Sequence, residues 1–191
     1  MEYLDDVLKT INESVNSLDQ KFFNELIEEW VSVLNENGKI IASWLGKNVA
    51  ICDKFVGEMV SLGQNAQFLH TNSAVHGDLG IVKDNDLVII LTKSGETVES
   101  IYLVNELQKR NIKLWLFSFE EKSTLTEKIK KSIILNLKNE GDLWNIVPNN
   151  SSTVNLIILQ ALAINIAKKR NATIEEFRKN HPGGHIGDIL K

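Results

Sequence analysis

Five short apolar runs alternate with segments of helical spacing along this chain, and that alternation limits the possible folds more than any other feature. The strongest run is Asp86-Leu87-Val88-Ile89-Ile90-Leu91, in which the apolar residues are continuous instead of alternating with polar ones. Continuous apolar strands are typical of parallel sheets that are covered by helices on both faces. We therefore predict a three-layer α/β/α sandwich with a five-stranded, mostly parallel sheet. The predicted strands are residues 39–44, 66–69, 86–91, 113–118 and 132–137.

Segments with a helical period precede the sheet and separate its strands. Residues 3–36 predict two helices, of which the second ends at Asn37-Gly38. Further helices are predicted over residues 49–62, 96–110 and 152–170. Capping-box spacing, in which a hydroxyl residue is followed three positions later by a glutamate, predicts two short helices. The two pairs are Thr124 with Glu127 and Thr173 with Glu176.

No repeat, low-complexity stretch or Pro/Gly-rich linker divides the sequence, so we expect a single domain over residues 1–191. The N-terminal helices occupy residues 1–37, and the α/β core with its C-terminal histidine-containing segment occupies 38–191. The net charge is −4 and the pI about 5.6, which argues against general affinity for nucleic acid or anionic membranes. With Cys52 as its single cysteine, the chain has no internal disulfide, which fits a reducing cytoplasm.

Membrane insertion and secretion are not expected either. The acidic N-terminus lacks the basic start and apolar stretch of a signal peptide. The most apolar segment, residues 153–167, contains Asn155, Gln160 and Asn165, and we expect it to be too short and too polar to span a bilayer. It predicts a buried helix, which could lie at a subunit interface.

Hydroxyl residues follow the third predicted strand, where an open α/β sheet places its ligands. The segment is Thr92-Lys93-Ser94-Gly95-Glu96-Thr97, directly before a predicted helix. Backbone N–H groups at a helix start, hydroxyls and a glycine that permits close approach would together hold a phosphate. A capped strand-to-helix turn would explain the same residues. A second cluster, which includes Ser151 and Ser152, opens the long helix, and two such helix starts fit a phosphate better than one.

Lysine and histidine residues supply the other candidate groups. Lys47 follows Gly46 just past the first strand, but Gly38 lies too far back and Asn48 replaces the Ser/Thr of a nucleotide P-loop. Histidines lie in two further segments, at His76 and, in a C-terminal segment that we expect to be extended, at His181 with His185. Because Pro-Gly-Gly separates the last two, they cannot share one helix face as paired zinc ligands do, and we predict no metal.

The segment from Thr92 to Thr97 resembles the phosphate loop of SIS (sugar isomerase) domains. His76-Gly77-Asp78-Leu79-Gly80 and His181-Pro182-Gly183-Gly184 resemble, more specifically, the arabinose-5-phosphate isomerases. The similarity covers about residues 38–190. The resemblance implies the flavodoxin-like SIS fold and interconversion of ribulose 5-phosphate and arabinose 5-phosphate through an enediol(ate), without a cofactor. In that family the reaction leads toward the acidic sugar Kdo of surface polysaccharides.

The resemblance also implies which residues act. The implied catalytic residues are Lys47, His76, Glu99, Glu140 and His181. The implied phosphate- or substrate-binding residues are Ser43, Thr92, Lys93, Ser94, Gly95, Thr97, Ser151 and Ser152. We expect a histidine to open the ring or shuttle the proton and a glutamate to be the base, tuned toward neutrality by burial, while the choice within each pair stays open. A homotetramer is implied, with His181 reaching a neighbouring subunit's site.

The sequence departs from the family in three ways. Residues 44–48 read Trp-Leu-Gly-Lys-Asn where the family has Gly-x-Gly-Lys-Ser, and Lys93 replaces a small polar residue, adding a cation beside the phosphate. We also expect no CBS regulatory domains. Two alternatives therefore stay open: a phosphosugar-binding regulator without catalysis, and an isomerase for another phosphosugar such as a hexulose 6-phosphate.

Overall fold

One sheet of five parallel strands runs through the middle of the molecule. The computed structural model describes residues 1–189, so the last two residues of the predicted domain lie outside the described residues. The strands are β1 (Ile40–Trp44), β2 (Ala66–His70), β3 (Leu87–Leu91), β4 (Lys113–Ser118) and β5 (Ser132–Ile134). Their order across the sheet is β2-β1-β3-β4-β5, and all four pairings are parallel. The predicted five-stranded α/β architecture is confirmed.

Helices cover both faces of the sheet. They are α1 (Glu2–Asn16), α2 (Gln20–Asn35), α3 (Val49–Ser61), α4 (Thr71–Ala74), α5 (Val98–Leu107), α6 (Thr124–Lys128), α7 (Asn150–Lys169), α8 (Ile174–Asn180) and α9 (Gly184–Ile189). Side chains of β1 alternate between two apolar clusters, because successive strand residues point to opposite faces. Ile40 and Ala42 pack with α2, α3 and α7, whereas Ile41 packs with α4, α5 and α6.

The burial of the central strands explains why their sequences predict strands so clearly. Every residue of β1 and β3 is buried, so both faces of these strands must be apolar. The edge strand β2 is buried fully only at Leu69, and its sequence is correspondingly mixed. Burial on both faces therefore accounts for the continuous apolar runs, and partial burial for the weaker edge signal.

Some element boundaries differ from the predictions. Helix α5 begins at Val98, not at residue 96, and the Glu96 carboxylate accepts hydrogen bonds from the N–H and hydroxyl of Thr124 at 2.7 and 2.8 Å. The capping box of α6 is formed by Ser123 and Thr126, one residue earlier than predicted. The Thr173–Glu176 box of α8 is confirmed.

Two further segments differ from expectation in their extent or conformation. Strand β5 ends at Ile134, three residues short of the prediction. The segment after His181, expected to be extended, enters helix α9 at Gly184. Here the backbone of Gly187 packs so closely on His181 and Pro182 that an added Cβ would lie 2.8 Å from the His181 carbonyl oxygen.

Helix α7 is longer than the apolar stretch 153–167 on which the expectation about membrane insertion was based. It has 20 residues, close to the predicted helix over 152–170, and by length and composition alone it could cross a bilayer. More than half of it is buried inside the fold, where it packs against α1, α2 and α3. The core helix of a soluble protein satisfies the same length criterion, and packing of this extent is what such a helix shows.

A core substitution tests the packing of α3. Phe55 is fully buried, and its ring centroid lies 5.7 Å from that of Trp30. Phe55→Ala should lower the free energy of unfolding by about 3–5 kcal/mol, measured by urea denaturation, because a cavity replaces the ring. Val60→Ala, at a half-exposed position of the same helix, is the control and should change it by less than about 0.5 kcal/mol. Equal effects of the two substitutions would contradict this placement of α3.

Candidate functional site

The order of the strands creates a crevice between β1 and β3. The chain leaves β1 toward α3 on one face of the sheet and leaves β3 toward α5 on the other face. Connections that diverge in this way open a cleft beyond the carboxyl ends of the two strands, where α/β proteins bind ligands. The predicted Gly46-Lys47 turn follows β1 and the predicted phosphate loop follows β3, so both border this crevice.

The phosphate loop, residues 92–97, is folded on itself by local hydrogen bonds. The buried Thr92 hydroxyl accepts a bond from the Gly95 N–H at 3.1 Å, and the exposed Ser94 hydroxyl accepts one from the Glu96 N–H at 3.2 Å. Thr97 is the N-cap residue of α5 and makes no side-chain capping bond. The exposed Glu99 lies in the first turn of that helix. The start of α5, beside the crevice, therefore carries the hydroxyl of Thr97 and the carboxylate of Glu99.

Two features of the fold that the sequence did not predict require a glycine at position 95. Its φ is +70°, in the left-handed region that favours glycine. A Cβ at this position would lie 2.0 Å from the Ser123 hydroxyl oxygen and 2.5 Å from its Cβ. Close packing against the N-cap residue of α6 therefore requires a glycine at this position, and the predicted approach of a phosphate to Gly95 stays a prediction.

Glu140 precedes α7 by ten residues, but its fully buried side chain contacts the start of that helix. One carboxylate oxygen accepts the N–H groups of Asn149 and Ser151 at 3.0 Å, and the other accepts the Ser151 hydroxyl at 2.8 Å. The Lys93 ammonium lies 2.7 Å from the same second oxygen. Burial raises the pKa of Glu140, but the bonds from Lys93, Ser151 and Asn149 outweigh it and hold the pKa below its ordinary value. The predicted tuning toward neutrality is therefore wrong for Glu140 in this arrangement.

The two hydroxyl clusters are joined through this carboxylate. Lys93 belongs to the loop after β3, and Ser151 belongs to the first turn of α7. Both donate to the same oxygen of Glu140, so the predicted extra cation is balanced by a buried anion. The structure thus brings together Lys93, Glu140 and Ser151, which the sequence alone placed in separate segments.

The turn after β1 is tied to the same helix start. Lys47 is exposed in a 3-10 turn over Gly46–Asn48, and the side chain of the buried Asn48 accepts a hydrogen bond from the Ser152 hydroxyl. The asparagine that replaces the family's serine therefore connects the lysine turn to α7. Sequence reasoning identified Asn48 only as a departure and missed this contact, which no local pattern encodes.

Ser43 and His76 lie on the β1–β2 side of the crevice. Ser43 is fully buried within β1, and its hydroxyl lies 3.1 Å from the Thr71 hydroxyl. This side chain links two elements and has no exposed surface for a substrate. His76 is exposed in the turn after α4, beyond the carboxyl end of β2. It shares the sheet edge of Lys47 and Glu99.

His181 is not brought to this edge within one chain. Its Nε2 lies 3.0 Å from the hydroxyl of Ser61, the last residue of α3, whereas Lys47 precedes the first residue of that helix. Thirteen helical residues extend about 20 Å, so His181 lies near the opposite edge of the sheet. Its Nδ1 lies 2.7 Å from the Phe177 carbonyl oxygen, which can only accept, and the ring stacks on Phe177. This network assigns the proton to Nδ1 and makes Nε2 the acceptor from Ser61.

Asp142, a second acidic residue that sequence reasoning missed, holds the loop that follows Glu140. The Asp142 carboxylate accepts the N–H groups of Trp144, Ile146 and Val147 at 2.8 to 2.9 Å. The bond from Trp144 and those from the following residues hold the pKa of Asp142 below its ordinary value. Aspartate in a loop commonly bonds backbone groups a few residues on, so turn chemistry was the signal available.

Metal ligands do not cluster in the part of the chain that the structure covers. No group of three or more His, Cys, Asp or Glu side chains among residues 1–189 is placed to hold a metal ion. The sequence-based expectation of chemistry without metal or cofactor stays a prediction.

Comparison with known proteins adds independent information. A family model described as SIS domain matches residues 33–165. An uncharacterized protein of Helicobacter pylori is 30% identical over 190 residues, which is 99% of this chain and 58% of that protein. The Yersinia pestis protein named arabinose 5-phosphate isomerase KdsD is 30% identical over 184 residues, 96% of this chain and 56% of that protein. The chain thus spans less than three fifths of the length of these curated relatives.

A solved structure has a similar fold. An E. coli CFT073 protein in complex with arabinose 5-phosphate superposes with a TM-score of 0.87 at 31% identity, covering 94% of both chains. Similarity at this level extends over nearly the whole chain.

Substitution of Gly95 tests the loop geometry. Gly95→Ala should lower the free energy of unfolding by at least about 2 kcal/mol, because it combines a left-handed backbone with a steric clash against Ser123. Gly57→Ala is the control, since Gly57 lies within α3 with nothing near its missing Cβ, and alanine there should be neutral or stabilising. Urea denaturation of both variants measures the difference, and a tolerated Gly95→Ala would refute the packing described here.

Proposed function

The chain belongs to the SIS domain family, and we propose that it is an aldose–ketose isomerase of phosphorylated sugars. The proposed reaction interconverts D-ribulose 5-phosphate and D-arabinose 5-phosphate through an enediol(ate). The name of the Yersinia pestis relative and the arabinose 5-phosphate bound to the E. coli protein support this substrate. The chemistry needs a base, a proton shuttle and stabilisation of negative charge, all of which side chains can supply.

The observation that carries the proposal is the convergence of three segments at one edge of the sheet. The turn after β1 bonds to the start of α7 through Asn48 and Ser152, and the loop after β3 bonds to it through Lys93 and Glu140. Two helix starts, their hydroxyls and a lysine therefore border one crevice. Such a set binds the phosphate of a sugar phosphate and leaves acid–base groups beside its carbon chain.

Each residue has a proposed role that its position supports. Lys47, exposed at the crevice, would stabilise the oxygen that becomes negative as the enediol(ate) forms. A glutamate, Glu99 or Glu140, would take the proton from the carbon next to the carbonyl and return it to the neighbouring carbon. His76 or His181 would open the sugar ring or move protons between the oxygens. Ser94, Thr97 and Ser151 would hold the phosphate.

A complete site needs a second copy of the chain if His181 takes part. The side chain lies near the edge of the sheet opposite Lys47, so it would have to reach a neighbouring subunit's crevice. Beside Glu140 the loop exposes Leu143, Trp144 and Ile146, and monomeric proteins seldom leave such a group uncovered. We propose a cytoplasmic homotetramer, built from single-domain subunits, whose partner molecule is a phosphorylated sugar and not nucleic acid or membrane.

Isotope exchange tests the activity directly. Purified protein with ribulose 5-phosphate in deuterated water should produce arabinose 5-phosphate that carries deuterium at C2, because the protonated glutamate exchanges its proton with the solvent before it returns one to C2. NMR measures the deuterium at that carbon. His181→Ala should abolish turnover, whereas His185→Ala, at an exposed position of α9, should retain it. Binding of phosphosugar without exchange would indicate a regulator, and exchange with a different phosphosugar alone would redirect the substrate assignment.

Subunit mixing tests the shared site. Lys47→Met and His181→Ala should each be inactive alone, yet their co-expression should restore activity. With random assembly about a quarter of the sites would combine an intact Lys47 from one chain with an intact His181 from another. Recovery measured by the isotope assay would support the shared site. A mixture as inactive as its components would contradict it.

A further inference from the structure

The Glu140 carboxylate is fully occupied by donors in this structure. It accepts two backbone N–H groups, one hydroxyl and one ammonium, which together use the acceptor positions of a carboxylate. The side chain is fully buried. Glu140 therefore cannot accept a proton or hydrogen bond from a sugar until one of these donors leaves.

Of the four donors, Lys93 is the one that carries a charge and the one that does not belong to the start of α7. Two of the others are the backbone N–H groups of Asn149 and Ser151, whose removal would unwind the start of the 20-residue helix α7, and the third is the Ser151 hydroxyl on a short side chain of the same turn. The fourth, Lys93, comes from the loop after β3 on a flexible side chain that is 41% exposed. Lysine is a compact point charge on a rotatable stem, well suited to changing partners.

The Lys93 ammonium also lies where the phosphate is proposed to bind. Its neighbours in the chain are the hydroxyl residues Thr92 and Ser94, and it shares its acceptor oxygen with the Ser151 hydroxyl. It therefore stands between the two hydroxyl clusters. A phosphate dianion carries about twice the charge of a carboxylate and has three acceptor oxygens, so it competes strongly for an ammonium group.

We propose that Lys93 and Glu140 form a latch that the substrate's phosphate opens. The phosphate takes the Lys93 ammonium, and the carboxylate oxygen released in this way becomes available to the sugar. This rests on the proposed function and adds to it that Lys93 binds phosphate and that Glu140 acts only when a phosphorylated ligand is present. Sugars without a phosphate leave the latch closed.

The electrostatic surroundings of Glu140 agree with this role. Among the contacts described for Glu140, Lys93 is the one charged group, since Asp142 turns its carboxylate toward the backbone of its own loop. Burial acts to raise the pKa of Glu140, and Lys93 is the strongest of the groups that lower it. Departure of Lys93 therefore makes Glu140 a better proton acceptor at neutral pH.

A matched control exists at the opposite edge of the sheet. Asp86 is buried, accepts the N–H groups of Lys39 and Lys83 at 3.0 and 2.8 Å, and lies 3.8 Å from the Lys39 ammonium. Its surroundings repeat those of Glu140, two backbone donors and one lysine, far from the crevice. Lys39→Met thus removes a lysine beside a buried carboxylate, although at a longer distance than the 2.7 Å of Lys93 and Glu140, without touching the proposed site.

Carbon-13 NMR of glutamate-labelled protein tests the latch, with the Glu140 carboxyl signal assigned by its loss in Glu140→Gln. In the wild-type protein, saturating arabinose 5-phosphate, or inorganic phosphate in its place, should move the titration midpoint of Glu140 to higher pH. Lys93→Met should raise that midpoint without ligand and weaken phosphate binding about tenfold or more, as expected for loss of a charged hydrogen bond. Lys93→Arg should preserve both properties in large part, and Lys39→Met should leave both unchanged.

Several results would overturn the latch. The first is that saturating phosphate leaves the titration midpoint of Glu140 unchanged in the wild-type protein. The second is that Lys93→Met and Lys39→Met bind phosphate with equal affinity. Because these measurements need no turnover, they are separate from the test of activity. Protein that binds phosphate and shows the Glu140 shift but isomerises no phosphosugar would contradict the proposed function and support the latch. Failure to bind any phosphate would overturn both.

Discussion

The buried carboxylate of Glu140 holds the candidate site together. A buried charge is costly unless hydrogen bonds and an opposite charge compensate it, and here the compensation comes from two different elements. The start of α7 supplies backbone donors, and the loop after β3 supplies Lys93. Satisfying one carboxylate therefore fixes the distance between the two hydroxyl clusters. Asn48 extends the same connection to the turn after β1 through Ser152.

The parallel sheet determines where these connections can meet, and membership of the SIS domain family agrees with this architecture. Because β1 and β3 are adjacent but send their chains to opposite faces, the loops that follow them diverge and leave room for a ligand. Full burial of both strands gives that crevice a rigid floor. The side chains at the rim are less buried: Lys93 is half-exposed, and Lys47 and Glu99 are exposed.

Local spacing was enough to predict the five strands and the longer helices, because strand burial and helical periodicity are recorded in neighbouring residues. The short helices α4 and α9 were not predicted. Residues 113–118 were predicted as a strand and form β4, and Thr173 with Glu176 caps α8 as expected. The candidate residues after β1 and β3 were also found in this way, since the edge of a parallel sheet follows from strand direction.

Contacts between residues far apart in the sequence determine the features that local spacing did not predict. Glu96, which was predicted to begin a helix, instead lies before α5 and bonds Thr124, 28 residues away. The charge state of Glu140 depends on Lys93, and His181 lies far from the crevice because it is bonded at the end of α3, 120 residues earlier in the sequence. Such partners leave no periodic trace in the sequence. Exposure, protonation and hydrogen-bond occupancy arise only when folding brings remote segments into contact.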